Sequence, residues 1–200
     1  MAPGRAVYSR LLLALGYLSA PFAGPGAAVI TAAGWLSYGT ETRKPTFTGI
    51  GLVGLLGVAG ILAGYYGEGL SGLVGAGGVL LLLYHVLAIA ALWMLGIKSN
   101  NTPLKAAAML LAISWLLAVS GTGSVHDATT AASGSVIDWG GVSWANAAAQ
   151  SLIDKLGGTP AIAKLLAAAG AVFASIGFMT MNEAASGLSR EETIFSIGTY

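Results

Sequence analysis

Apolar residues run on in this chain far longer than a single half-buried helix or strand requires, and charges fall only between the runs. No Asp, Glu, Lys or Arg occurs within residues 11–38, 45–67, 69–97, 106–125 or 165–182. A helix crosses the hydrocarbon core of a bilayer in roughly 20 residues. The pattern therefore predicts an all-α membrane protein, a polytopic helical bundle of about five transmembrane helices. The spans are expected at about 11–38, 46–66, 70–96, 103–121 and 160–182, in one membrane domain.

The first run contains Pro21 and Pro25. Proline removes a backbone donor and clashes with the preceding turn, so the helix is expected to kink or break there. One version is a single tilted, kinked span. The other, which the two prolines favour, is a half-helix over 11–20 followed by a span starting near Pro25. Arg5 and Arg10 ahead of the apolar residues 11–18 resemble a signal peptide, with a cleavage point after Ala28. The apolar stretch continues to Leu36, so the segment is read as a retained first membrane element.

Turn chemistry marks the other boundaries. Glu41, Arg43 and Lys44 lie in the link 39–45, and Gly67-Glu68-Gly69 is short enough to make its flanking spans an antiparallel hairpin. Gly72, Gly75, Gly77 and Gly78 suggest an irregular start to the next span. Thr102-Pro103 and Thr159-Pro160 read as helix starts, with Thr as N-cap and Pro at the first helical position. The long link 124–158 is rich in Ser, Thr, Gly and Ala. Within it 143–156 has helical periodicity, with Trp144, Leu152, Ile153 and Leu156 on one face. That helix either lies on the membrane and seals the bundle or docks a partner. In the tail 183–200, Ser189 and Glu192 fit a capping box.

Cationic loops stay on the cytoplasmic side of a membrane. Five spans put Arg43, Lys44, Lys98, Lys105 and Arg190 on one side, and Arg5, Arg10, Lys155 and Lys164 on the other. The link 39–45 and the C-terminus are accordingly expected in the cytoplasm of a cell membrane, and 124–158 outside. Arg5 and Arg10 oppose this unless the first half-helix re-enters and leaves the N-terminus inside. Trp35, Tyr38, Tyr65, Tyr66 and Trp93 near span ends agree with aromatic belts.

Composition narrows the chemistry. The 200 residues are 56% hydrophobic and 8% charged, with net charge +1, so there is no field for nucleic acid. The absence of Cys removes disulfides, thiolate metal sites and thiol catalysis. His85, beside Tyr84, is the one imidazole within an expected span, and intramembrane ionisable residues default to function. It could relay a proton or ligate haem. The competing reading is a neutral ring bonded to a backbone carbonyl, which the lack of any companion Asp or Glu in the spans favours. No cofactor is therefore expected, with haem at His85 the exception. His126, Asp127, Asp138 and Asp154 match no metal-ligand spacing. Asn100-Asn101-Thr102 is a glycosylation acceptor only if it faces outside. No nucleophile–base–acid arrangement stands out, and an enzyme is not expected.

The 30 glycines are the remaining signal. Gly51, Gly54, Gly57, Gly60 and Gly64 repeat through the second span and include a GxxxG step. Such spacing points to a surface that approaches the helix backbone closely, another helix before a pore wall or a lipid groove. Residues 26–37, leading into Thr46-Phe47 and Gly51, resemble residues 170–180, leading into Ile194-Phe195 and Gly198. Each pairs a glycine-rich span end with a charged link and an aromatic restart. These stretches resemble a family of small, uncharacterised archaeal multi-pass membrane proteins. The resemblance implies a polytopic helical fold and an archaeal source, and carries no activity or site.

The residues together point to a structural or accessory subunit. It would assemble in the bilayer through glycine-rich faces, as a homo-oligomer or with other membrane subunits. A small-solute, ion or proton transporter with His85 near its path is the alternative, and a haem or redox subunit the third.

Overall fold

The structure, a computed structural model, describes residues 5–23, 25–67, 70, 72–122 and 159–181. Among these residues there are six helices and no strand. They are α1 (Arg5–Ala23), α2 (Pro25–Thr42), α3 (Pro45–Tyr66), α4 (Gly72–Lys98), α5 (Thr102–Thr122) and α6 (Thr159–Thr180). The link 124–158 with its helix 143–156, the histidine and aspartates of that link, and the capping box at Ser189 lie outside the described residues.

The break at the two prolines is a full reversal of the chain. Pro21 sits in the last turn of α1, and Pro25 takes the first position of α2, where a missing N–H costs nothing. The two helices return against each other. A Cβ on Gly16 would meet Thr31, and one on Gly34 would meet Leu13. The first apolar run thus supplies two helices, which is why the count is six. Charge spacing alone could not divide a run whose turn is made of glycine and proline.

Every consecutive pair is antiparallel and in contact, and α6 closes against α1. The register follows from the glycines. Gly51 faces Ala32 and Leu36, Gly57 faces Leu81, Gly64 faces Val74, and Gly177 faces Leu104. The six helices therefore form a closed up-and-down ring. One end of it, here called the base, gathers the start of α1, the α2–α3 turn, the α4–α5 turn and the end of α6. The opposite end receives the α1–α2 and α3–α4 turns and both helix ends that flank residues 123–158.

The two turns at the base are the same device. Arg43 and Asn100 take the left-handed conformation, with φ of 56° and 47°. The N–H of Lys44 then bonds the Gly39 carbonyl at 2.9 Å, and that of Asn101 bonds the Gly96 carbonyl at 2.9 Å. Such a backward bond satisfies a carbonyl that the helix end would leave open. The Thr42 and Ser99 hydroxyls donate one turn back, to Tyr38 and Leu95, and Thr180 does the same to Ile176. Gly39 and Gly96 lie where the next helix crosses. A Cβ on Gly96 would stand 2.8 Å from the Lys105 nitrogen, and one on Gly39 would collide with Thr48.

Large apolar side chains face outward all round the ring. Tyr8, Leu11, Leu15 and Leu18 of α1 are exposed, as are Leu52 and Leu56 of α3, Leu83 and Val86 of α4, Ile113 and Leu116 of α5, and Ile176 and Met179 of α6. A water-soluble bundle would place polar residues there. Three helices carry segments long and apolar enough to cross a bilayer: Pro45–Gly64, Gly72–Lys98 and Ile162–Thr180. In α5 a shorter apolar stretch spans Thr102–Leu117. Helices α1 and α2, of 19 and 18 residues, reach roughly 28 and 27 Å at 1.5 Å per residue. The molecule is an all-α membrane-type bundle.

Candidate functional site

The interior near the base is filled by aromatic rings. Trp35 has no exposed surface. It stacks on Phe47 at 5.6 Å and meets the edges of Phe178 at 5.7 Å and Tyr38 at 6.2 Å. Tyr17 stacks on the other side of Phe178 at 6.0 Å. Four helices, α1, α2, α3 and α6, thus meet through one aromatic cluster, with Leu92, Leu95 and Leu104 buried alongside. Aromatic pairs at these separations add about 0.5–1.5 kcal/mol each beyond the area they bury.

One layer further in, hydroxyl groups gather. The Trp35 Nε1–H donates to the Tyr17 hydroxyl at 3.3 Å. The Tyr84 hydroxyl donates to Thr31 Oγ1 at 2.8 Å, and Thr31 in turn donates to the Ala27 carbonyl at 2.8 Å. Thr31 and Trp35 are one turn apart on α2, so these two bridges tie α1 and α4 to the same face. Tyr84 stands out in the sequence beside His85, and Trp35 and Tyr38 as members of an interfacial belt. The structure instead buries the Trp35 and Tyr38 rings inside the bundle, because α3 and α6 pack over them. Tyr17, Thr31 and Trp35 come from helices whose pairing no local pattern reveals.

His85 is half-buried, edge-on to the Tyr84 ring at 5.3 Å. Its Nδ1 donates to the Leu81 carbonyl of its own helix at 2.7 Å. A carbonyl only accepts, so this bond requires the proton on Nδ1, and in the neutral ring the lone pair is then on Nε2. Among the described residues no group of three His, Cys, Asp or Glu side chains converges to hold a metal ion. The hydroxyl layer offers neutral donors and acceptors, and among the described residues the one carboxylate, Glu41, is at the base bonded to Ser9.

The five repeated glycines of α3 have their neighbours within the chain. Gly51 lies against the α2 backbone, Gly54 against Ala32 and Tyr84, Gly57 against Leu81, Gly60 against Gly77 and Gly64 against Val74. Other glycines are open. Gly49, Gly72, Gly75 and Gly78 have nothing within 4 Å of where a Cβ would stand.

At the base, polar groups clip the ring shut. The Ser9 hydroxyl donates to Glu41, joining α1 to the end of α2, and the Arg10 guanidinium donates to the Met181 carbonyl beyond α6. Asn101 does most. Its Oδ1 accepts from the Leu104 N–H at 3.0 Å, and its Nδ2 donates to the Gly177 carbonyl at 3.1 Å and to Thr180 Oγ1 at 3.3 Å. The N-cap of α5 is therefore Asn101, and Thr102-Pro103 form the first turn, a shift of one residue from the sequence reading. Asn and Thr both cap well. Asn wins here because its amide also reaches α6.

Comparison with protein-family models, with curated proteins and with solved structures gives no match to this chain.

Proposed function

We propose that this protein is an integral membrane subunit with a structural or accessory role, seated in the bilayer with its base on the cytoplasmic side. The observation that carries the reading is the inversion of the bundle. Apolar side chains face outward on the helices, while rings, small residues and bonded hydroxyls fill the inside. An interior plugged by Trp35, Phe47 and Phe178 suits a packing role better than a solute path.

Assembly then uses a surface other than the one its densest glycine repeat suggests. The stripe on α3 is taken up by α2 and α4. The open glycines Gly72, Gly75 and Gly78 sit on α4, where a helix of a second copy or another membrane subunit can approach closely. The cytoplasmic assignment rests on cations. Six of the seven described Lys and Arg residues (Arg5, Arg10, Arg43, Lys44, Lys98 and Lys105) lie in elements that meet at the base, and Lys164 lies near the other end. The α1–α2 reversal is what brings Arg5 and Arg10 to the same end as Arg43.

The test is gentle detergent extraction followed by mass analysis of the intact complex, with an absorbance spectrum of the same sample. A defined oligomer, or stable foreign subunits, dispersed by Gly75→Leu is expected. A colourless monomer would refute assembly, and a haem band lost in His85→Ala would replace it with the redox reading. Because the chain has no native Cys, a single cysteine at Arg43 reports the sidedness. Labelling by an impermeant maleimide in intact cells would refute the orientation.

A further inference from the structure

The base gathers cations from the α2–α3 turn, the end of α4 and the start of α5. Arg43 is exposed in the α2–α3 turn, Lys98 is exposed in the last turn of α4, and Lys44 is half-buried between α2 and α3. Lys105 lies in the first turns of α5, its Nζ donating to Asn100 Oδ1 at 3.2 Å. Among the described residues the one acid at this end is Glu41, which already accepts the Ser9 hydroxyl.

Directly above the cations the surface becomes greasy. Trp93, Met94 and Ile97 are exposed on α4, within two turns of Lys98. An exposed tryptophan within two turns of a helix-end lysine marks the headgroup level, since the indole has an apolar body and one N–H. Met94 lies one turn from Lys98 on the same side of α4, with Trp93 next to it in sequence, so this helix end offers acyl-chain contact beside positive charge. Long cationic side chains reach the phosphate layer from such positions.

We propose that the base binds anionic phospholipids, with Arg43, Lys44 and Lys98 holding the headgroup phosphates and the Trp93 shoulder holding the chains. The proposal rests on the membrane placement argued above and is independent of how many copies assemble. A cation near an anionic leaflet contributes about a fivefold preference. Neutralising three should therefore cost roughly a hundredfold, and the preference should weaken as salt shortens the reach of charge.

The experiment uses the full chain in nanodiscs of phosphatidylcholine containing phosphatidylglycerol, released into the gas phase for native mass spectrometry. Phosphatidylglycerol is expected to be retained over phosphatidylcholine. The triple variant Arg43→Gln, Lys44→Gln, Lys98→Gln should lose that preference, whereas Lys164→Gln at the opposite end should keep it. Far-UV circular dichroism confirms that each variant is folded, and Lys98→Gln alone, expected to lose about fivefold, serves if the triple variant is not. Equal retention of the two lipids by the parent would overturn the proposal. So would an equal loss in Lys164→Gln, or displacement of the lipid by millimolar inorganic phosphate. The mass of the same ions reports copy number, so failure of the assembly reading is seen separately.

Discussion

Replacing Gly51 by alanine adds one methyl group, and the structure fixes where it goes. The new Cβ would stand 2.5 Å from the Leu36 nitrogen, 2.6 Å from the Ala32 oxygen and 2.8 Å from the Leu36 Cα. All three are backbone atoms, so no side chain can rotate away. Helices α2 and α3 must part by about 1 Å to restore ordinary contact, and a gap of that size forfeits a quarter to a half of each dispersion contact along the seam. Overpacking of this kind costs about 1–3 kcal/mol. Alanine's helix propensity would return up to about 1 kcal/mol in water. Detergent-unfolded membrane helices keep much of their helicity, so most of that return is absent. Net destabilisation of about 1–3 kcal/mol is expected. Gly49→Ala on the same helix is the matched control, because nothing lies within 4 Å of its new atom, and it should stay within about 0.5 kcal/mol of the parent. The assay is titration of the purified protein from mild detergent into SDS, followed by tryptophan fluorescence, for which buried Trp35 is a native reporter. A Gly51→Ala midpoint at or above that of the parent, or an equal drop for Gly49→Ala, would refute the close seam.

Three further outcomes follow from named contacts. Asn101→Ala removes the α5 cap and the bridge to Gly177 and Thr180, so the same titration should show a loss of about 2–3 kcal/mol, with Asn101→Asp intermediate because it keeps the cap. Tyr84→Phe deletes the hydroxyl bonded to Thr31 and should cost about 1 kcal/mol without shifting the far-UV spectrum. Trp35→Ala empties the aromatic cluster and should cost about 3–5 kcal/mol; thermal melting followed by circular dichroism would contradict the packing if it showed no change.

Much of this architecture was legible because a bilayer makes charge the punctuation of the chain. The charge-free runs 45–67, 69–97, 106–125 and 165–182 each hold most of one helix, since a charge inside the hydrocarbon is expensive. The same rule hid the α1–α2 turn, which needs no charge when Pro25 can start a helix. Glycine spacing on α3 announced a close neighbour, but a local pattern does not say whose. The turn at 43 lays α2 along α3, and the return of the chain after α3 lays α4 along its other side. The likeness of the turns at 43 and 100 was hard to see because Arg43-Lys44 and Asn100-Asn101 share no residue type. The backbone uses them alike because each left-handed residue follows a Thr or Ser that bonds one turn back. The cluster of Tyr17, Thr31, Trp35 and Tyr84 draws on three helices and has no signature in any one of them. His85 was conspicuous in sequence only as the one imidazole in an apolar run, and its bond to Leu81 is one that any helical position four residues on can make.

The contact of α6 with α1 has a consequence for biogenesis. A chain emerges from the ribosome α1 first, and its ring stays open until α6 is threaded into the membrane. Before α6 arrives, the amide of Asn101 lacks the Gly177 carbonyl, the hydroxyl of Ser114 lacks the Ala163 carbonyl, and Tyr17 lacks the ring of Phe178. Unmet polar groups in lipid are costly, so a nascent chain halted between α5 and α6 displays them along an unguarded flank. That flank is what a membrane chaperone would shield or a quality-control protease would read, and completion of α6 withdraws it from view.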